Sequence, residues 1–301
     1  GSGPHDPNGR PAAVCKFAAH HRHPHGLRPP MIRSCVTISL VDQARGGPFV
    51  FWDDLRAACR EAKAIGFDAV EIFAPSADAL DNLPLAEILD GEGLRLAAVG
   101  TGAGWVLHRL SLSSASADKR RAAEDFIRHM IDAGARYGAM AIIGSMQGSS
   151  GQEMDRQSAL GYLGESLKRL GAHAAAQGVP LLYEPLNRYE TDLVHRLEEA
   201  EQLLSSSGAE NVLLLADLFH MNIEEVSISA SLCTYGARLG HVHLADSNRR
   251  AAGLGHLDYR PIAEALTQIG YGGYLSAEVF PLPTSQEAAA ETMRAIKQFF
   301  A

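Results

Sequence analysis

Four short apolar runs in the second half of the chain each end in a side chain able to ligate a metal ion. LLYE delivers Glu184, VLLLAD delivers Asp217, HVH delivers His243 and YLSAE delivers Glu278. The steps between them are 33 (217 − 184), 26 (243 − 217) and 35 (278 − 243) residues. Each is close to the length of one strand plus one helix, so the four leave matching ends of successive strands. Two Glu, one Asp and one His form an oxygen-rich set with a single imidazole. Such a set suits one hard or borderline divalent ion, Mn2+ foremost and Mg2+ or Co2+ as alternatives, over a thiolate-seeking metal. Open coordination positions would suit a neutral polyhydroxy ligand binding through two oxygens.

Bringing four such residues together requires a repeating frame, and the chain supplies one from Met31 onward. Strand-like apolar runs fall at 34–41, 67–73, 94–100, 139–144, 179–184, 211–217, 240–246 and 274–280. Segments of helical period fall at 51–66, 80–89, 116–137, 155–177, 193–206, 222–233 and 261–270, with a closing helix at 286–300. Thr284 and Glu287 make a capping-box pattern where that last helix opens. The strand runs are nearly continuously apolar, as in a parallel sheet covered by helices. Eight units of this kind predict an α/β fold, a single (β/α)8 TIM barrel, with its active site where the C-terminal strand ends converge. An open doubly wound sheet fits less well, because no GxGxxG follows the first strand.

The whole-chain numbers narrow the function. The 301 residues are 46% hydrophobic and 21% charged, an ordinary globular balance. A net charge of −8 argues against a nucleic-acid partner, which calls for a basic footprint. No apolar run approaches the ~18 residues of a membrane span. Cys15, Cys35, Cys59 and Cys233 show no CxxC or regular spacing, and no secretory apolar stretch stands near the start. The expectation is a cytoplasmic protein. Residues 1–30 hold His5, His20, His21, His23 and His25 among scattered Pro and Gly, and are expected to form a poorly ordered tail. The catalytic barrel is expected to occupy 31–301.

EPLNRYE (184–190), DLFHMNIEE (217–225), HVHLADSNR (241–249) and SAEVF (276–280) closely resemble the ketose 3-epimerases, the tagatose and psicose epimerases of the xylose-isomerase-like barrel superfamily. IGFDAVEIF (65–73) resembles the second strand of that wider superfamily. The resemblance implies a metal-dependent isomerase whose ion is held by Glu184, Asp217, His243 and Glu278. It further implies Glu184 and Glu278 as the acid/base pair, and Glu190, His220 and Arg249 as contacts to substrate oxygens. A small carbohydrate substrate and a homodimer or homotetramer go with it. The chain departs from the family at Ala252–Gly253, where relatives usually read Pro-Gly, and over 37–52, which lacks their aromatic sugar-contacting pattern.

Elementary chemistry supports the same assignment. Epimerising a carbon beside a ketone removes a proton from one face and returns one to the other. A dication on the ketone oxygen and its neighbouring hydroxyl stabilises the resulting enediolate. Carboxylates on opposite faces can then alternate as base and acid. Related chemistries need the same site: aldose–ketose or hydroxypyruvate isomerisation, and elimination from 3-keto-glycosides. An apurinic-endonuclease-like nuclease and a non-catalytic sugar-binding barrel are the remaining alternatives. Trp52 and Trp105 could stack on a sugar, GSMQGSSG (144–151) reads as a flexible mouth loop, and Glu71 as a structural polar group.

Overall fold

Parallel pairing carries the chain round a closed cylinder. A computed structural model describes residues 31–151 and 154–300; the expectation of a disordered tail over 1–30 lies outside these described residues. The strands are β1 (Arg33–Ser39), β2 (Phe51–Trp52), β3 (Ala69–Phe73), β4 (Arg95–Gly100), β5 (Met140–Ile143), β6 (Leu181–Tyr183), β7 (Val212–Asp217), β8 (Leu239–His243) and β9 (Tyr274–Ala277). β1 pairs with β3 on one side and with β9 on the other, closing an eight-stranded barrel of β1 and β3 to β9. β9 pairs with Arg33–Val36 only, and the two-residue β2 pairs beside Ile38 and Ser39. The fold is therefore the expected (β/α)8 barrel, with one short extra strand at the mouth.

Helices cover the outside: α1 (Leu55–Ile65), α2 (Ala77–Asp81), α3 (Leu85–Glu92), α4 (Ala103–His108), α5 (Ala117–Ala135), α6 (Arg156–Ala176), α7 (Leu197–Ser207), α8 (Leu218–Glu224), α9 (Ile228–Tyr235), α10 (Tyr259–Gln268) and α11 (Ser285–Phe299). Most begin where an oxygen-bearing side chain caps the free N–H groups, as Asp54 does for α1 and Asp155 for α6. At α11 the expected cap forms, with the Glu287 backbone N–H donating to the Thr284 hydroxyl oxygen at 3.2 Å. The segment 51–66 is helical only from Leu55, because Phe51 and Trp52 extend as β2 and Asp53 turns the chain at φ 68°. Expected helix 80–89 is two helices parted at Pro84, which cannot donate within a helix, and 222–233 is broken at extended Glu225.

The core has two parts. The large outer one packs strand residues such as Val70, Val99 and Ile143 against helix residues such as Ile127, Met130 and Leu167, all fully buried. Each such side chain contributes roughly 1.5–3 kcal/mol. Inside the barrel, Cys35, Ala69, Ala97 and Tyr274 form one small cluster, and Ala98, Ile142, Leu182 and Leu215 another. Toward the C-terminal strand ends, polar side chains replace these apolar fillings. Among the described residues no helix is long and apolar enough to cross a membrane.

Candidate metal centre

Each of the four metal-competent residues owes its place to a strand end. Glu184 follows β6, where Pro185 stops further pairing. Its backbone N–H donates to the Ile143 carbonyl at 2.9 Å, fastening it beside β5. Asp217 is both the last residue of β7 and the cap of α8: its Oδ1 accepts from the Phe219 N–H at 2.8 Å, leaving Oδ2 for the barrel axis. His243 ends β8 on the inward register, and Glu278 stands one residue past β9.

Their ligand atoms converge. One oxygen or ring nitrogen from each of Glu184, Asp217, His243 and Glu278 lies within 4.8 Å of all the others. Ligands about 2.0–2.4 Å from a common dication stand up to roughly 4–4.8 Å apart, so the spacing suits one ion. His243 Nδ1 is 3.6 Å from Glu184 Oε1, 3.7 Å from Asp217 Oδ2 and 3.5 Å from Glu278 Oε2. Glu184 Oε1, Asp217 Oδ2 and His243 Nδ1 are buried and find no hydrogen-bond partner among the described residues. Buried polar atoms are otherwise almost always partnered, and three aimed at one point fit a cation. The donor set, three carboxylates and an imidazole, fits as well.

Glu71, expected only to meet some polar neighbour, has a definite one. It rises from β3 across the barrel, fully within the interior, and accepts from His241 Nε2 at 2.9 Å and the Ser276 hydroxyl at 3.0 Å. His243 Nε2 lies 3.2 Å from Glu71 Oε1. That contact turns the opposite nitrogen, Nδ1, toward the three acids. Glu71, His241 and His243 could themselves be read as a metal-binding trio. The hydrogen bonds between them already engage the facing atoms, so we read Glu71 as a buttress to the four-residue centre.

Burial opposes charge on all these acids. For Glu184 burial prevails, with Glu278 adding to it, and the carboxyl is pushed above its usual range. For Asp217 burial is overcome by His220, His243 and Arg249, which hold the carboxyl well below that range. Glu278 is also held low, by His243 and Arg249 against burial. Burial favours an uncharged His243, yet Glu71 and Glu278 raise its pKa well above normal.

The three expected substrate contacts lie round the same point. The buried His220 accepts at Nδ1 from the Asn187 backbone N–H at 3.2 Å, and the Asn187 side-chain amide stands 2.7 Å away. Its proton therefore sits on Nε2, which is 3.5 Å from Asp217 Oδ2 and has no partner among the described residues. Arg249, at φ 59°, donates through Nη2 to Glu278 Oε2 at 2.8 Å and lies 3.4 Å from Glu190 Oε1 through Nη1. Its loop is held by Asp246, whose carboxylate accepts from the N–H groups of Ser247, Gly253 and Leu257. Gly253, at φ 96°, supplies the turn there with Ala252 in front of it.

Glu184, Glu190, His220, His243, Arg249 and Glu278 all line one cavity of about 300 Å³ at the mouth. A larger depression of about 860 Å³ lies outside the barrel between α6 and α7 and contains none of them. Trp52 and Trp105 do not line the mouth cavity: Trp52 donates to the Phe49 carbonyl at 2.9 Å, and Trp105 lies against the Arg109 guanidinium. Within 144–151 the sequence reading missed Gln147. It is buried, donates to the Glu184 carbonyl at 3.2 Å and accepts from the Tyr183 hydroxyl at 2.9 Å. Its only sequence signal was an amide beside glycines.

A closed parallel barrel with acids and an imidazole gathered at its C-terminal mouth places them where barrel enzymes carry their active sites. The chain belongs to the xylose isomerase-like TIM barrel family, whose model matches residues 59–299. It is 29% identical over 244 residues to a D-psicose 3-epimerase of Ruminiclostridium cellulolyticum, spanning 77% of this chain and 82% of that one. A 2-oxo-tetronate isomerase of Cupriavidus necator is 29% identical over 229 residues, 73% of this chain and 85% of its own. A solved L-ribulose 3-epimerase superposes with a TM-score of 0.75 at 22% identity, covering 90% of this chain and 95% of that one.

Proposed function

We propose that the chain is a divalent-metal-dependent epimerase of free ketoses that inverts the carbon beside the carbonyl, with Glu184 and Glu278 as its alternating base and acid. The chain is an enzyme of the isomerase–epimerase kind, as its relatives over most of their length are named. The observation that carries the finer reading is the convergence of ligand atoms from the buried Glu184, Asp217 and His243 and the half-buried Glu278 within 4.8 Å.

Glu184, Asp217, His243 and Glu278 would hold a divalent ion, Mn2+ first among candidates, which would supply Lewis acidity to a bound ketose. Glu184 and Glu278 reach the mouth from strands three apart in the sheet order, β6 and β9, a separation that would let them stand on either side of a bound sugar. One takes the proton from the substrate carbon and the other returns one to the opposite face, each contribution being worth roughly 10²–10⁴-fold. Arg249 orients Glu278 through their hydrogen bond. His220 presents its Nε2–H to a substrate oxygen because Asn187 occupies Nδ1. Glu190 accepts from a hydroxyl at the rim. A cavity of about 300 Å³ suits a monosaccharide better than a glycoside.

A second reading is an aldose–ketose type isomerase, favoured by the 2-oxo-tetronate isomerase likeness. It moves a proton between the carbonyl carbon and its neighbour instead of returning one to the carbon that lost it. Incubating ketoses with the protein and Mn2+, Mg2+ or Co2+ in D2O, and locating deuterium by NMR, separates the two. Label at C3 is the expected result; label at C1 or C2 selects isomerisation, and no label with any ketose or ion removes both.

A further inference from the structure

β5 and β6 end their pairing at Ile143 and Tyr183, and the bond from the Glu184 N–H to the Ile143 carbonyl closes the ladder. Past that point one segment turns through Ser145–Gln147. The other runs into Pro185, which has no N–H to offer. The Gln147 side chain spans the two. It is fully buried, and its Nε2 donates to the Gly144 carbonyl at 3.1 Å and to the Glu184 carbonyl at 3.2 Å. Its Oε1 accepts from the hydroxyl of Tyr183, also fully buried, at 2.9 Å. Both amide protons are thus spent on the two residues that meet across the gap.

That gap decides where the Glu184 carboxylate stands. A Cβ on Gly144 would lie 2.5 Å from Glu184 Oε2, so the carboxylate rests directly against the Gly144 backbone. The groups on its other side grip it less closely. His243 Nδ1 and His220 Nε2 are 3.6 and 3.8 Å from Oε1, which has no hydrogen-bond partner among the described residues. The carboxylate is therefore placed by its own backbone and by the Gly144 surface, whose separation the Gln147 amide fixes. A proton-transferring group misplaced by about 1 Å can cost roughly a hundredfold in rate.

We infer that Gln147 is a positioning residue for proton transfer at Glu184, its amide holding the ends of β5 and β6 at the separation that sets the carboxylate. The inference rests on the acid/base reading of Glu184 and goes beyond it in naming what aligns that group. Tyr183 distinguishes alignment from plain stability. Its hydroxyl anchors the far side of the amide, so removing it weakens the buried network while both carbonyls keep their donor.

The test compares Gln147→Met and Tyr183→Phe with the parent protein at saturating Mn2+, on the ketose that exchanges deuterium fastest at C3. Gln147→Met keeps the length of the side chain and loses all three hydrogen bonds. Its kcat is expected to fall about tenfold to a hundredfold, with KM changed less than about threefold. Tyr183→Phe is expected to lower Tm while kcat stays within about threefold of the parent. Gln147→Glu, whose protonated form keeps one donor and the Tyr183 bond, should fall between Gln147→Met and the parent, and it carries the test if Gln147→Met does not fold. Calorimetric titration with Mn2+ gives a readout apart from turnover: affinity about tenfold weaker in Gln147→Met and unchanged in Tyr183→Phe. Equal losses of kcat in the Gln147 and Tyr183 variants, or none in the Gln147 variants, overturn the inference and leave the epimerase reading standing. Mn2+ affinity unmoved by the Gln147 substitutions overturns it too, since the carboxylate would not have shifted. A parent protein that exchanges no ketose overturns both readings together.

Discussion

Asp217 uses one oxygen to cap a helix and keeps the other for the barrel axis, so the start of α8 and the proposed metal centre are fixed by one side chain. Glu184 and Glu278 are held by their neighbours in the same way but are proposed to move protons. Glu184→Gln and Glu278→Gln are each expected to lower kcat at least about a hundredfold with the circular dichroism spectrum unchanged. Near-normal turnover in either variant rules out the two-carboxylate mechanism. Glu71→Gln should weaken metal binding about 10–100-fold, because a carboxamide cannot hold His241 and His243 in the same orientation. Calorimetric titration with Mn2+ checks this, and unchanged affinity denies Glu71 its buttressing role. The convergence of the four proposed ligands was legible in the sequence because strand ends announce themselves by composition. Glu71 was not: its partners lie 170 and 172 positions away and meet it only through barrel closure.

At the scale of elements, β5 and β6 approach so closely that a Cβ on Gly144 would stand 2.5 Å from Glu184 Oε2. Gly144→Ala is therefore expected to displace the carboxylate and reduce kcat by about tenfold to a hundredfold, with a small change in Tm. Unaltered kinetics would show that the carboxylate has room to spare. The loop carrying Arg249 is organised by Asp246, whose carboxyl is held below its usual range by backbone N–H groups, led by that of Leu257, against the cost of burial. A depressed folded pKa stabilises above the unfolded value of about 3.9 and loses that contribution as pH falls through the folded value. Asp246→Asn should thus reduce stability at pH 7, with the difference from the parent protein narrowing as the solution is acidified; a gap that widens in acid refutes the assignment. Strand positions were readable from apolar runs, whereas the breaks at Pro84 and Glu225 and the small helix α4 were not. Local period survives across a three-residue interruption, and the extended backbone at Glu225 does not show in composition.

For the whole molecule, closure places three carboxylates, two of them buried, and a buried imidazole in one small volume, so an ion that binds the folded chain should stabilise it. Adding Mn2+ at about a hundred times its Kd to chelator-treated protein should contribute about 2.7 kcal/mol, or about 5 °C in Tm. Calorimetry that finds no shift with Mn2+, Mg2+ or Co2+ argues against a metal centre.

Apart from Glu71, the mouth cavity carries its charged groups on the arc from β6 to β9 and apolar side chains on the opposite arc, a division that reaches beyond the proposed activity. Phe49, Phe73 and Val106 stand on segments that give nothing to the ion-binding set, so they form a block that can be randomised together. Substitutions there would change which ligand fits the cavity without touching the residues proposed to move protons.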